Sequence, residues 1–308
     1  MADWQLQTPV AFIIFNRPAQ TEQVFQTIRQ AKPPVLLVVA DGPRPNKLGE
    51  AEKCAAARAI IDRVDWNCQV LKNYSETNLG CRLRVSSGLD WVFDTVEEAI
   101  ILEDDCVPHP TFFPFCEELL EYYRHDCRIG SISGQNVQFG RKRTDYSYYF
   151  SRYTHCWGWA SWRRAWKYYD LNMKLWPEVR DGNFLTDILG NPKAAKDWAK
   201  TLQITYDKQV DTWDYQWTFA CWIQSSLTVL SNVNLVSNIG YGTESTHTSE
   251  EASKYSNMPV EAIDFPLKHP PFVVRDLQAD EFTENTVYDY NPVLSKKIKR
   301  RLKEMLKL

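Results

Sequence analysis

Two rhythms of apolar and polar residues alternate along the first part of the chain. Pro9–Phe15 (PVAFIIF) is apolar without interruption, the pattern of a strand buried on both faces. Ala19–Gln30 follows with Val24, Phe25 and Ile28 on one helical face. Val35–Ala40 predicts a second buried strand. Leu48–Val64 predicts a helix with Ala57, Ile60, Ile61 and Val64 at helical spacing. Gln69–Tyr74 is a weaker strand, and Arg82–Phe93 a helix presenting Val85, Leu89, Val92 and Phe93. Ala99–Leu102 is a fourth strand, and Pro110–Tyr123 a helix with Pro in its first turn. Strands alternating with helices predict right-handed crossovers and a mainly parallel sheet. Ligands of such sheets bind outside the carboxyl ends of the strands. The residues there are Asn16-Arg17-Pro18, Asp41-Gly42, Glu76 to Gly80 and Glu103-Asp104-Asp105.

Beyond Tyr123 the rhythm breaks down. Tyr146–Tyr153 and Leu227–Leu230 read as strands, and Ala194–Val210 and Tyr215–Ser226 as helices. His155–Trp166 (HCWGWASWRRAW) reads as an aromatic loop running into a helix. Asn238–Ser253, rich in Gly, Ser, Thr and Glu, reads as a mobile loop. No internal repeat and no low-complexity linker divides the chain, which favours one continuous unit. The tail SKKIKRRLKEMLKL is a basic amphipathic helix with Ile298, Leu302, Met305 and Leu306 on one face. Such a helix either docks on its own domain or lies on an anionic membrane surface.

Composition narrows the function classes. A net charge of −3 over 308 residues gives no reason to expect a nucleic-acid partner. The 12 Trp and 15 Tyr suit both cores and carbohydrate ligands. None of the 8 Cys forms a CxxC pair or a zinc-finger spacing with His. Several sit in apolar runs and read as reduced core residues of a cytoplasmic protein, although an even count leaves disulfides open. MADWQLQT lacks the pattern of a signal peptide, and no apolar run is long enough to span a membrane.

The strongest chemical signal is IILEDD, residues 100–105, where three acids follow a buried strand directly. Like charges so close are unfavourable unless a cation or water screens them, and carboxylate oxygens suit a hard divalent ion. An ordinary acidic loop is the alternative. PVAFIIFNRP, VVADGPR, ETNLGCRLRVSSGLDWVF and IILEDDCVPHPTFF, in this order, resemble the nucleotide-binding half of GT-A-fold glycosyltransferases. The likeness is to family 2-like bacterial enzymes, with the acidic motif of N-acetylglucosaminyltransferase I. It covers residues 9–120 well. It continues more loosely through WGWASW, DTWDYQW and NIGYGTESTHT.

The resemblance implies an α/β, GT-A-like (Rossmann-like) fold with a mainly parallel central sheet flanked by helices. Residues 1–130 would bind a nucleotide-sugar donor, 131–290 would form the acceptor-binding, catalytic half of the same domain, and 291–308 would be the terminal helix. Asn16, Arg17 and Pro18 would line the nucleoside pocket, and Asp41 its base or ribose. Asn78 and Gly80 would form the turn beneath the donor, with Arg82 reaching the diphosphate or sugar. Glu103 and Asp104 would hold the nucleoside side and the donor ribose or sugar. Asp105, completed by His247, would bind Mn²⁺ or Mg²⁺. The family's usual Asp-X-Asp is Glu-Asp-Asp here, which leaves open which acid touches the metal. Trp157, Gly158 and Trp159 would meet the acceptor, Trp159 and its neighbours being a core wedge otherwise.

Asp214 or Asp211, which flank Trp213, would be the catalytic general base of an inverting transfer. Asp214 is preferred because Asp211 can also be read as finishing the preceding helix, and an acid there can also simply cap a helix. The donor by family habit is a UDP-sugar, and the acceptor a glycan, a lipid-linked molecule or a protein. No QXXRW motif of processive synthases is present, which favours transfer of a single sugar. A nucleotidyltransferase is a rival, but it would carry a Gly-rich basic loop where this chain has NRPAQT. A non-catalytic sugar-binding module is another, though it would tolerate loss of acids that are all present. The protein would be cytoplasmic, with peripheral contact to the inner membrane through its tail.

Overall fold

The computed structural model describes residues 4–240, 255 and 257–288. His247 and the basic tail 291–308 lie outside the described residues. The first half runs β1 (Val10–Ile14), α1 (Pro18–Ala31), β2 (Val35–Ala40), α2 (Glu50–Ile61), β3 (Gln69–Tyr74), α3 (Gly80–Thr95), β4 (Glu98–Glu103), β5 (Cys106–Pro108) and α4 (Phe112–Tyr122). The second runs β6 (Ile129–Ser133), β7 (Tyr148–Ser151), β8 (Trp159–Trp162), α5 (Arg163–Trp166), α6 (Trp176–Asp181), α7 (Phe184–Leu189), α8 (Pro192–Tyr206), α9 (Asp214–Ile223), β9 (Leu227–Ser231), β10 (Val236–Asn238) and α10 (Leu277–Thr286).

Eight strands form one sheet in the order β3-β2-β1-β4-β8-β6-β9-β7, so both halves of the chain share it. The pairs β1–β2, β1–β4, β2–β3 and β6–β9 are parallel. β8 runs antiparallel between β4 and β6, and β7 antiparallel to β9. Most strands therefore point the same way, in the α/β architecture that the alternation of elements predicts. β6 and β8 are the departures within this sheet, since IGSIS carries no strand pattern and WASW reads in the sequence as loop.

The uninterrupted apolar strands are explained by helices on both faces. In β1, Val10, Phe12 and Ile14 enter one core cluster and Ala11 and Ile13 the other. β2 and β4 divide in the same alternating way, as the two-residue period of a strand requires. α1 covers the first face with Val24, Phe25 and Ile28, and α3 covers the second with Val85, Leu89, Val92 and Phe93. Burying a side chain of that size contributes roughly 1.5–3 kcal/mol. By the same alternation Glu103, which ends β4, falls in register with Ala99 and Ile101 on the α3 side. A third cluster, built on Tyr153, Trp176, Trp198, Leu202 and Trp222, holds the helices α6 to α9 together.

All eight cysteines are free. Among the described residues no helix is long and apolar enough to cross a membrane.

Candidate active site

Where the parallel strands end, the chain turns from β1 into α1, from β2 into the 41–49 loop, from β3 toward α3, and from β4 into the acid loop. These turns surround a cavity of about 220 Å³. Arg17, Asp41, Asn78, Gly80, Glu103, Asp104, Asp105, Trp157 and Asp211 all line it. The small sheet closes one side, since β10 pairs antiparallel with β5 and sets Asn238 opposite Cys106. The Ile239 amide then donates to the Asp105 carbonyl at 2.8 Å. Gly240 lies so close over Asp105 and Arg17 that a Cβ there would collide with both side chains.

Arg17 is the hub of the charge. Its guanidinium donates to Asp104 through Nη2 and pairs with Asp105 through Nη1 at 2.8 Å. Asp104 also accepts from the Phe15 amide, and Asp105 from Asn238 Nδ2, each at 3.3 Å. Burial opposes the charge of Arg17, but the two aspartates hold its pKa above the ordinary value. Burial and the neighbouring Asp105 and Asp104 push the Glu103 carboxyl up to about 8. Burial also raises Asp104, against the pull of Arg17.

Asp41 and Asp211 are positioned differently. The buried Asp41 carboxylate accepts from the amides of Gly42 and Leu79 at 2.9 Å and Gly80 at 3.1 Å, and from Asn78 Nδ2 at 2.9 Å. It ties the end of β2 to the start of α3, as well as lining the cavity. Asp211 accepts from the amides of Cys81 at 3.0 Å and Arg82 at 2.9 Å. It therefore caps α3 from across the chain rather than finishing the helix before it. Gly80 has φ +78°, and a Cβ there would come within 2.7 Å of the Asp211 carboxylate. Both the turn and the cap require glycine.

Several expected ligand contacts go elsewhere. Arg82 reaches away from the cavity, donating to the Leu171 carbonyl at 3.1 Å and to Asn172 Oδ1 at 3.4 Å. Asn16 donates to Glu50 at 2.9 Å, and Pro18 opens α1. Neither lines the cavity. Trp159 is 1% exposed and stacks on Trp213 at 5.7 Å between centroids, so it belongs to the core wedge and not to an acceptor surface. Gly158 packs against Val236. Among the described residues, the cations that line the cavity besides Arg17 are Arg44 and Arg84. Arg44 is held by Glu50 and its guanidinium lies 5.6 Å over the Phe15 ring. Arg84 donates to the Asn73 carbonyl at 2.7 Å. Arg84 lies two positions beyond Arg82 on the same helix, and its buried face beside Val85 is the signal that separates them.

Asp214 opens α9 and lines a second cavity, of about 180 Å³, beside the first. Trp157 lines both. The two are electrically close, since the Asp214 charge raises the Glu103 pKa. No protein-family model matches the chain, and no curated protein matches it. Matches exist among solved structures, 118 chains in all. One is a mannosyltransferase from Pyrobaculum calidifontis in complex with GDP-Man and Mn²⁺, with 14% identity and a TM-score of 0.36, covering 53% of this chain and 46% of that one. Another is a UDP-glucose pyrophosphorylase complexed with UDP-glucose, with 11% identity and a TM-score of 0.27, covering 47% of this chain and 62% of that one. The chain thus spans less than two thirds of the length of either.

The acid loop bears on metal binding directly. Among the described residues no group of three or more His, Cys, Asp or Glu converges to cage an ion. What is present is a set of hard carboxylate oxygens at one strand end. That set fits Mg²⁺ or Mn²⁺, which need only one or two carboxylates when substrate phosphates and water supply the rest. Asp105 meets this condition, with a side chain 14% exposed at the cavity wall.

Proposed function

We propose that the chain transfers a sugar from a nucleotide-diphosphate sugar, UDP by preference, to an acceptor hydroxyl with inversion. The observation that carries the reading is the strand-end cavity in which three consecutive acids meet Arg17, with Arg44 and Arg84 also on its wall. Such a wall offers carboxylates to ribose and sugar hydroxyls and guanidinium groups to phosphates. Asp105, with His247 beyond the described residues, would hold Mn²⁺ or Mg²⁺. When bound, that ion would neutralise the charge of the departing diphosphate. Arg17 keeps Asp104 and Asp105 in place on the cavity wall. Asp214 would take the proton from the acceptor hydroxyl, because it lines the second cavity, which shares Trp157 with the first.

A panel of nucleotide sugars tested by thermal shift decides the matter. A ligand of the folded state present at 100 times its Kd adds about 2.7 kcal/mol of stability. At least one UDP- or GDP-sugar should stabilise the protein in Mn²⁺ and lose most of that effect in EDTA or in Asp105→Ala. If none stabilises it under either condition, the reading fails. Release of pyrophosphate from a nucleoside triphosphate and a sugar phosphate would instead make the protein a nucleotidyltransferase.

A further inference from the structure

A third cavity lies at the opposite edge of the sheet from the strand-end site. β8 is antiparallel to both β4 and β6, so β6 and β9 run in the same direction as β4. Ile129 and Ser226, at the amino ends of β6 and β9, line this cavity with Arg164, Lys167, Tyr168 and Cys127. Among the described residues it shares no lining residue with the other two cavities.

Two positive charges meet there without a carboxylate. Arg164 is held by carbonyls, donating to Arg124 through Nε at 2.7 Å, to Ile129 through Nη1 at 2.9 Å and to Tyr123 through Nη2 at 2.8 Å. Those bonds engage all three nitrogens but bring no negative charge. Each Nη also keeps a second N–H. Burial pushes the Arg164 pKa down, and Asp126 and Glu98, the carboxylates whose charge opposes this, are paired with Arg128 and Arg124. Lys167 is exposed, with its ammonium 4.8 Å over the Tyr168 ring, and it forms no ion pair among the described residues. Among those residues no Asp or Glu lines the cavity. Two cations on one small wall attract an anion.

The rest of the wall is apolar enough to hold more than an inorganic ion. Tyr168 is 45% exposed, and Ala165, Trp217 and Ala220 line the cavity beside it. The volume, about 140 Å³, is on the scale of a cavity that takes one benzene ring, roughly 150 Å³. An inorganic anion would leave the apolar side to water, and a neutral ring would leave both cations without a counter-charge.

We infer that this cavity is a binding site for a small organic anion, a carboxylate or phosphate monoester on a single ring, held by Arg164 and Lys167. The site does not rest on the sugar-transfer reading.

Cys127 gives a local readout, since it lines the cavity and is the exposed one of the eight cysteines. The whole protein is alkylated with N-ethylmaleimide in the presence of benzoate or phenyl phosphate, and the labelling of each cysteine is followed by peptide mass spectrometry. Benzyl alcohol is the neutral control, and inorganic phosphate is the anion without a ring. At least one of the two organic anions should slow the labelling of Cys127 saturably, and neither control should do so at equal concentration. Replacing Arg164 would free three carbonyls, so the variant is made at exposed Lys167. Lys167→Gln should raise the half-protecting concentration roughly tenfold, the loss of one hydrogen bond to a charged group, with Tm retained. Undiminished labelling of Cys127 in both organic anions overturns the site. Equal protection by benzyl alcohol or by inorganic phosphate overturns the ligand class, and protection that Lys167→Gln leaves unchanged overturns the assignment of the anion to this pair of cations.

Discussion

The two cavities on either side of Trp157 handle polarity in opposite ways. In the strand-end cavity charge is dense and much of it is answered internally. Arg17 bridges Asp104 and Asp105, Asp41 is held by four donors, and Asp211 is spent on the amides of α3. In the aromatic cavity charge is sparse, and two ring nitrogens are left without partners among the described residues. The difference teaches what each region is built to receive. A wall rich in both signs meets a charged ligand without a large desolvation penalty, while the aromatic wall sets the Asp214 carboxylate among neutral polar groups. The first cavity has its acids fastened by Arg17, and the second carries no such ion pair among the described residues.

The largest effect that can break this division lies at Asp214. If Asp214 serves the aromatic cavity as general base, Asp214→Asn keeps shape and polarity but cannot take a proton. Turnover should fall roughly 10²- to 10⁴-fold, while nucleotide binding, read by titration, persists. Near-parental turnover in this variant moves the base elsewhere. Next in size is the contrast between two neighbouring tryptophans. Trp159→Ala empties a fully buried site and should cost about 3–5 kcal/mol in denaturant unfolding. Trp157, half-buried between the cavities, should cost much less stability as Ala, yet weaken ligand binding on both sides. Equal losses of stability would erase the distinction between core wedge and shared wall.

A third effect is a pH dependence carried by His155. Burial holds its imidazole down at about 4, below an ordinary value of 6.5. As pH falls below 6.5 the unfolded chain takes up a proton that the fold refuses, so stability declines until the folded pKa is reached. The full loss is about 3 kcal/mol between pH 6.5 and 4. Glu103 and Asp104, raised in the fold, act in the opposite sense, favouring the fold as pH falls. The difference between parent and His155→Asn in urea unfolding across this range isolates the histidine. A pH-independent difference would place the ring in contact with water.

How much of this was legible in the sequence follows from the same contrast. β1, β2 and β4 are covered on both faces, so their apolar runs carry no polar interruption and the strand ends can be placed by eye. β6 (IGSIS) and β8 (WASW) are also buried, but they are short and built from Ser, Gly and Trp, so neither a long apolar run nor a two-residue alternation marks them. Arg17, Asp41, Asn78, Gly80 and the acid loop lie together as the strand-end rule predicts. Arg82 and Asn16 do not join them, because their alternative partners, Leu171 and Glu50, are made neighbours only by the tertiary fold. His155 carries no sequence signal at all. A lone histidine in an aromatic stretch becomes informative only when its ring is found buried and unpaired.

The smallest predicted effect concerns Asp211, and it separates structure from chemistry within DTWD. Asp211 and Asp214 are three residues apart, Asp211 lining the strand-end cavity and Asp214 the aromatic one. Asp211 accepts two amides at the start of α3, where a negative charge also favours the positive end of the helix. Its role is therefore to fasten the 211–214 segment to the donor side and so to fix where Asp214 stands. Asp211→Asn keeps one acceptor oxygen for those amides and should cost less than Asp211→Ala. The alanine variant loses the cap and should cost about 0.5–2 kcal/mol of stability, a few degrees in Tm at most. Turnover in Asp211→Asn should fall far less than in Asp214→Asn, since no proton is lost from the mechanism. If Asp211→Asn instead abolishes turnover while its Tm stays at the parental value, the cap is incidental. The base then belongs to the strand-end cavity, and the two cavities no longer divide charge from hydroxyl chemistry.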